Sequence, residues 1–377
     1  MPPISVLIKP ASGMCNMSCD YCFYCDEMKK REQESYGFMT EETLKNIIRK
    51  TMLRAEGSIS YVFQGGEPTL RGMDFFQKVI EYEKQYNRNR IQVHNALQTN
   101  GYVINEDWCR FFRENGFLIG VSIDGTKEIH DTYRHSKEGM PTFERIVQTT
   151  KLFDAYRVDY NILTVVNRKV ADHIGEIYSF YKKQGWHYQQ YIACLDPLGE
   201  PHGKNEYALT PEKYGSFLIE LFELWYEDFK QEKQPFIRQF ENYIATLLGY
   251  MPESCDHRGV CSIQNVVEAD GSVYPCDFYM LDNYRLGNFN EDQLEDIHTR
   301  RYEIEFIQRS QKLSDSCKKC HYYKICRGGC HRNRDFNAEK GCYDNYFCNG
   351  YRMFFDKELG RMQEISAMVK SRCQESI

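Results

Sequence analysis

The segment Cys15-Asn16-Met17-Ser18-Cys19-Asp20-Tyr21-Cys22 sets three thiols at the spacing C-x3-C-x2-C, with Cys25 three residues further on. A closed metal site takes four ligands, so three raise the question of what fills the fourth position. Two closures fit. One is a four-iron cluster in which three thiolates hold three irons and the fourth iron stays open to an outside ligand. The other is a zinc ion completed by Cys25 or by a distant His. A short loop carrying the aromatics Tyr21 and Phe23 is less like a zinc knuckle.

The thiol count points to metal as a whole. Sixteen cysteines in 377 residues, with no apolar run long enough for a signal-peptide core or a membrane span, predict a cytoplasmic protein. In that reducing compartment, clustered thiols bind metal before they form disulfides. The balance of 54 acidic against 48 basic residues, with a formal charge of −6, and the lack of a Lys/Arg block exclude a nucleic-acid binder and leave no membrane partner.

Six β-rich runs predict strands at 5–9, 59–64, 91–99, 117–124, 158–166 and 187–193, separated by segments of helical periodicity such as 40–56, where Thr40 precedes an acidic first turn and Leu44, Ile47 and Ile48 share a face. Repeated β-then-α units imply an α/β fold, a parallel sheet with helices outside it. Polar residues close several strands: Gln64, then Gln98-Thr99-Asn100, then Ser122 and Asp124. In parallel α/β architectures that edge binds ligands, although each residue could instead cap the helix that follows. A helical stretch from 210 to 248 opens with Thr210 as N-cap and Pro211. Beyond 250 the texture changes to hairpin signals, including an Asp-Gly turn, and dense cysteine. This predicts two units, 1–235 and 236–377, with the boundary near 235–250.

The second unit carries Cys255, Cys261, Cys276, Cys317, Cys320, Cys326, Cys330 and Cys348. Eight thiols close two four-iron clusters or two structural zinc sites, and spacing alone decides neither the metal nor the grouping. Five cysteines remain: Cys109 and Cys194, read as small buried apolar residues, and Cys25, Cys342 and Cys373.

The cysteine triplet after a first strand, with an aromatic just before its last cysteine, followed by Gly65-Gly66-Glu67-Pro68 after the second strand, resembles the radical S-adenosylmethionine (SAM) superfamily. In that family the cofactor's amino and carboxylate groups chelate the open iron. The cysteines beyond 250 resemble a SPASM-type auxiliary domain. Along nearly the whole chain, through "FQGGEPTL", "LQTNG" and "SVYPCDFY", the sequence is similar to anaerobic sulfatase-maturating enzymes. The resemblance implies a partial (β/α)6 barrel followed by a small auxiliary iron–sulfur domain with a β-hairpin and C-terminal helices. It implies SAM and three [4Fe-4S] clusters as cofactors. Cys15, Cys19 and Cys22 would hold the first cluster, Cys255, Cys261, Cys276 and Cys330 the second, and Cys317, Cys320, Cys326 and Cys348 the third.

The same resemblance implies the reaction. A Cys or Ser in a C/S-x-P/A-x-R sulfatase motif becomes Cα-formylglycine, with net loss of two electrons and two protons. A 5′-deoxyadenosyl radical takes hydrogen from Cβ, a base takes a proton, and an auxiliary cluster takes an electron. Asp277, directly after Cys276, would be the base; read without the family, it could merely accept turn amides. Tyr24 and Gln64 would face the substrate side chain. Tyr21, Gly65, Gly66, Glu67, Ser122 and Arg134 would contact SAM, with Ser122 and Arg134 gripping its carboxylate, Glu67 pairing with its ammonium and the glycines admitting the ligand to the backbone. The implied partners are an unfolded or nascent sulfatase and an electron donor such as flavodoxin or ferredoxin. A maturase of small precursor peptides is the rival reading. It is disfavoured by "PCDFY" and by a first strand near Met1 that leaves no room for a recognition domain. A non-catalytic zinc or electron-transfer module is the more distant one.

Overall fold

The computed structural model describes residues 3–375, with the side chains of the C-terminal helix described through Arg372; the side chain of Cys373 lies outside the described residues. Strands β1 (Ile4–Ile8), β2 (Ser58–Phe63), β3 (Gln92–Thr99), β4 (Phe117–Ser122), β5 (Asp159–Val166) and β6 (Tyr188–Ala193) lie side by side in chain order. Every neighbouring pair is parallel. These are the six predicted strands, apart from end residues: Ile123 and Asp124 fall beyond β4. The helices between them cover the sheet, because each parallel crossover needs one. The helix Glu41–Met52 begins where Thr40 accepts the Thr43 N–H at 3.1 Å, and it buries Leu44, Ile47 and Ile48 completely.

The sheet does not stop at the sixth strand. The strand β7 (Phe236–Ile237) adds in parallel beside β6. A three-stranded meander of β8 (Asn265–Val267), β9 (Ser272–Tyr274) and β10 (Gly287–Asn288) adds beside β1, with β8 parallel to β1. The order is therefore β10-β9-β8-β1-β2-β3-β4-β5-β6-β7, an open ten-stranded sheet. Without β8, the first strand would be an edge with unpaired backbone groups. The predicted Asp-Gly turn joins β8 to β9, with Gly271 at φ +89°. The fold is thus an α/β sheet of parallel strands carrying a second, cysteine-rich portion and a long C-terminal helix, Cys348–Glu375.

That helix packs against the helix Pro211–Phe229 at a point where each presents a glycine, Gly350 and Gly215. A Cβ on Gly350 would stand 2.2 Å from the Pro211 carbonyl oxygen, and one on Gly215 would stand 2.9 Å from the Gly350 Cα. The crossing sets the position of Cys348 at the helix start. Cys109 is buried in the core, as expected of a small apolar residue, and Cys194 is buried too, although it borders the cavity described below. Among the described residues no helix is long and apolar enough to cross a membrane.

His202 joins the loop after β6 to the cysteine-rich portion. Its Nδ1 lies 3.2 Å from Asp196, its Nε2 3.0 Å from Asp335, and its ring stacks on Tyr346 at 3.9 Å. The Asp196 hydrogen bond, more than the Asp335 one, holds His202 above its ordinary imidazole value. A raised folded-state value stabilises the fold fully below the unfolded value of about 6.5 and is lost as pH rises through the folded value. Thermal unfolding of His202→Gln against the parent is expected to show a deficit of roughly 1 kcal/mol or less at acidic pH that fades above neutrality.

Candidate active site

At the end of β1 the chain runs through Lys9 into the loop that carries the cysteine triplet, and the Gly65-Gly66-Glu67 loop after β2 zips onto it. The Gly66 N–H donates to the Ser12 carbonyl and the Glu67 N–H to the Met14 carbonyl, each at 2.8 Å. A Cβ on Gly66 would stand 2.1 Å from the Met14 oxygen, and Gly65 has φ +137°. The glycines therefore serve first to let the two loops touch, and both also border the cavity.

Glu67 sits differently from the expectation that it pairs with a ligand's ammonium. It is fully buried, and its carboxylate accepts from the Thr69 N–H and hydroxyl, the Thr99 hydroxyl and the Asn100 N–H at 2.6–3.1 Å. Four donors, two from the turn that it caps and two from the end of β3, absorb its charge. They tie the loop to the neighbouring strand.

The triplet has surroundings suited to thiolate ligands. Cys15 Sγ accepts the Met17 N–H at 3.4 Å and the Asn100 side-chain amide at 3.6 Å, donors of the kind that tune cluster sulfurs. Burial pushes Cys15 up to about 11 and Cys19 up to about 12, so these thiols ionise when a metal centre displaces their protons. Cys22 is held down to about 6, chiefly by the Cys25 thiol, which donates to it.

The short strand Met17–Cys19 pairs antiparallel with Arg134–Ser136, which sets Cys19 opposite Arg134. The Arg134 guanidinium is held by Asp124 at 3.0 Å, and the Tyr21 hydroxyl donates to the same Asp124 oxygen. Arg134, Tyr21, Ser122, Gln64, Gln98 and Asn100 all border one cavity of about 730 Å³ at the C-terminal ends of the strands. The polar strand ends singled out in the sequence converge there. Asp124 lies behind them as the buried anchor that aims Arg134.

The cysteine-rich portion also borders this cavity, through Cys255, Cys261, Cys276, Asp277 and Cys330. Cys330 is raised to about 12 by burial and then by the neighbouring Cys255 and Cys261; Cys276 is raised by burial and then by Cys330. Cys317, Cys320, Cys326 and Cys348 form a separate set of neighbours away from the cavity, in which burial raises Cys326 to about 12 and the other three add to it. Among the described residues no three His, Cys, Asp or Glu side chains close around the position of one metal ion. His130, His135 and His173 are engaged elsewhere: the first is buried against the Asp124 N–H and Thr142, the second lies near Asp20 and the third near the Lys169 carbonyl.

Asp277 reaches the cavity between two strand ends. One carboxylate oxygen pairs with Lys9 Nζ at 2.6 Å and the other accepts from the Gln64 side-chain amide. Tyr24, expected against the substrate, lies behind this group instead. It is 2% exposed, its hydroxyl donates to Glu268, and Lys9 Nζ sits 3.8 Å over its ring. The helix Phe23–Lys29 buries Tyr24 and Glu27 on its inner face, which turns Tyr24 away from the cavity. Lys9, Glu268 and Arg31 were not apparent as site residues in the sequence. The one available signal was a lysine closing an otherwise apolar strand.

Comparison with known proteins agrees with this geometry. Residues 10–181 match the radical SAM superfamily and residues 255–321 the SPASM iron–sulfur cluster-binding domain. The chain is 43% identical over 372 residues to the cysteine-type anaerobic sulfatase-maturating enzyme of Clostridium novyi, covering 99% of this chain and 100% of that one. It is 31% identical to the serine-type enzyme of Bacteroides thetaiotaomicron, covering 94% and 89%. The solved structure of native anSMEcpe with bound AdoMet superimposes with a TM-score of 0.93 at 41% identity, covering 97% of this chain and 100% of that one. The same protein with AdoMet and the Cp18Cys peptide gives a TM-score of 0.92, covering 98% and 100%. A chain alike in sequence and structure over its full length, with thiols, glycine loop and cavity in these positions, belongs to the anaerobic sulfatase-maturating enzymes of the radical SAM superfamily.

Proposed function

We propose that this enzyme converts a Cys or Ser within a C/S-x-P/A-x-R segment of an unfolded or nascent sulfatase to Cα-formylglycine, with Asp277 as the base. The carrying observation is that the cysteine triplet, the glycine loop, Cys276 and Asp277 all border one cavity. Its relatives are sulfatase-maturating enzymes, and 43% identity to a cysteine-type one against 31% to a serine-type one favours Cys as the residue converted.

When bound, SAM and the three [4Fe-4S] clusters supply the hydrogen-abstracting radical and the electron sink. The chain supplies the rest. Cys15, Cys19 and Cys22 would hold the open cluster. Cys255, Cys261, Cys276 and Cys330 would hold the auxiliary cluster at the cavity, and Cys317, Cys320, Cys326 and Cys348 the outer one. Arg134, aimed by Asp124, offers a charged fork for the SAM carboxylate and Ser122 a neutral donor beside it. Gln64 borders the cavity and faces the reacting side chain, while Asp277 takes the proton that the substrate must lose. Residues 1–235 carry the SAM site and 236–377 the auxiliary clusters. The reaction belongs in the cytoplasm, served by a one-electron donor of flavodoxin or ferredoxin type.

The test is an anaerobic assay of the reconstituted enzyme with SAM, a reductant and a sulfatase-type peptide. The expected product is the aldehyde: a Ser peptide loses two hydrogens, and a Cys peptide loses two hydrogens to give a thioaldehyde that water converts to the aldehyde with release of hydrogen sulfide. Release of 5′-deoxyadenosine with an unchanged peptide would overturn the sulfatase assignment and turn attention to precursor peptides.

A further inference from the structure

We propose that Lys9 is the positioning residue of the base, fixing the Asp277 carboxylate at the cavity wall. This rests on the reading of Asp277 as the base. Lys9 directly follows β1 with no exposed surface, and its N–H donates to the Val267 carbonyl at 2.8 Å, which locks its backbone to β8. Its ammonium lies 2.6 Å from one Asp277 oxygen. Since Gln64 takes the other oxygen, both are held from adjacent strand ends. Asp277 itself comes from the loop after β9, so its orientation depends on contacts from the ends of β1 and β2.

The ammonium is itself held from behind. Tyr24 offers its ring face at 3.8 Å, its hydroxyl is committed to Glu268, and Arg31 pairs with Glu268 at 2.7 Å. A cation on an aromatic face is favourable, and a desolvated ammonium needs a counter-charge. A further carboxyl in the group is Glu27, buried on the inner face of the helix Phe23–Lys29. Burial and then the charge of Asp277 push Glu27 up to about 8. Asp277, at 2.6 Å, is the carboxylate that the Lys9 ammonium meets.

Reconstituted Lys9→Met and Lys9→Gln enzymes test this. A base displaced by about 1 Å is expected to lower formylglycine kcat on the order of 10²-fold, with KM for the peptide held and 5′-deoxyadenosine still released. The ratio of deoxyadenosine to product then rises. In the Asp277→Asn background, where no carboxylate remains to be positioned, Lys9→Met should cost no further activity. The double variant also carries neither buried charge, so it stays informative if Lys9→Met alone folds poorly. A full additional loss in that background, or a parallel fall in deoxyadenosine, would show that Lys9 acts on the fold or on the SAM loop and overturn the proposal. Full turnover by Asp277→Asn alone would instead remove the base assignment, an outcome read from a different variant.

Discussion

Asp277→Asn is expected to lower formylglycine formation by about 10²- to 10⁴-fold while SAM cleavage continues. Asparagine keeps the size of the side chain and can still bond to Gln64, so the cavity wall keeps its shape. It cannot take a proton at working pH. The substitution also leaves Lys9, buried without exposed surface, facing a neutral amide, and an uncompensated buried charge is costly. A loss of folding stability of about 3–5 kcal/mol is the bound expected for breaking such a pair. Melting temperature and deoxyadenosine release should therefore be measured with product. An intact, SAM-cleaving variant that makes no aldehyde places the defect at proton removal. A variant that neither folds nor cleaves SAM would move the role of Asp277 to structure.

Much of the parallel sheet was legible because its signals are local. Apolar runs such as Phe117–Ser122 have the length and composition of buried strands, Thr40 and Thr210 are side-chain caps, and Asp270-Gly271 is a turn by its residue types. The strand-end polar residues also converge as an edge rule predicts. What escaped notice depends on contacts far apart in sequence. Nothing in "SVLIK" says that β8, about 260 residues later, will lie beside it, or that this pairing will bury Lys9 against Asp277. The orientation of Tyr24 was likewise hidden, because it turns on the phase of a seven-residue helix. Glu67 was legible as an important carboxylate but not in its partners, since Thr99 and Asn100 come from the next strand.

Gly66→Ala is the second substitution with a large expected effect, and its logic is steric. The added Cβ would stand 2.1 Å from the Met14 oxygen, 2.6 Å from the Met14 carbonyl carbon and 2.8 Å from that of Gly13. All three are backbone atoms, which cannot rotate aside as a side-chain tip can. The loops must separate, and with them go the hydrogen bonds from Gly66 to Ser12 and from Glu67 to Met14. Cys15 follows Met14 directly, so the displacement reaches the first thiol of the triplet. The cost of such overpacking is about 1–3 kcal/mol, which a chain of this size survives globally but a cluster loop does not survive locally. The auxiliary thiols lie on other segments and should reconstitute normally. The expected enzyme is folded, retains the iron of its auxiliary clusters, has lost that of the SAM cluster, and releases neither deoxyadenosine nor aldehyde. Iron analysis beside a turnover assay checks this. Full iron content with undiminished SAM cleavage would mean that the two loops can part without consequence, and that the glycine serves only to admit the ligand.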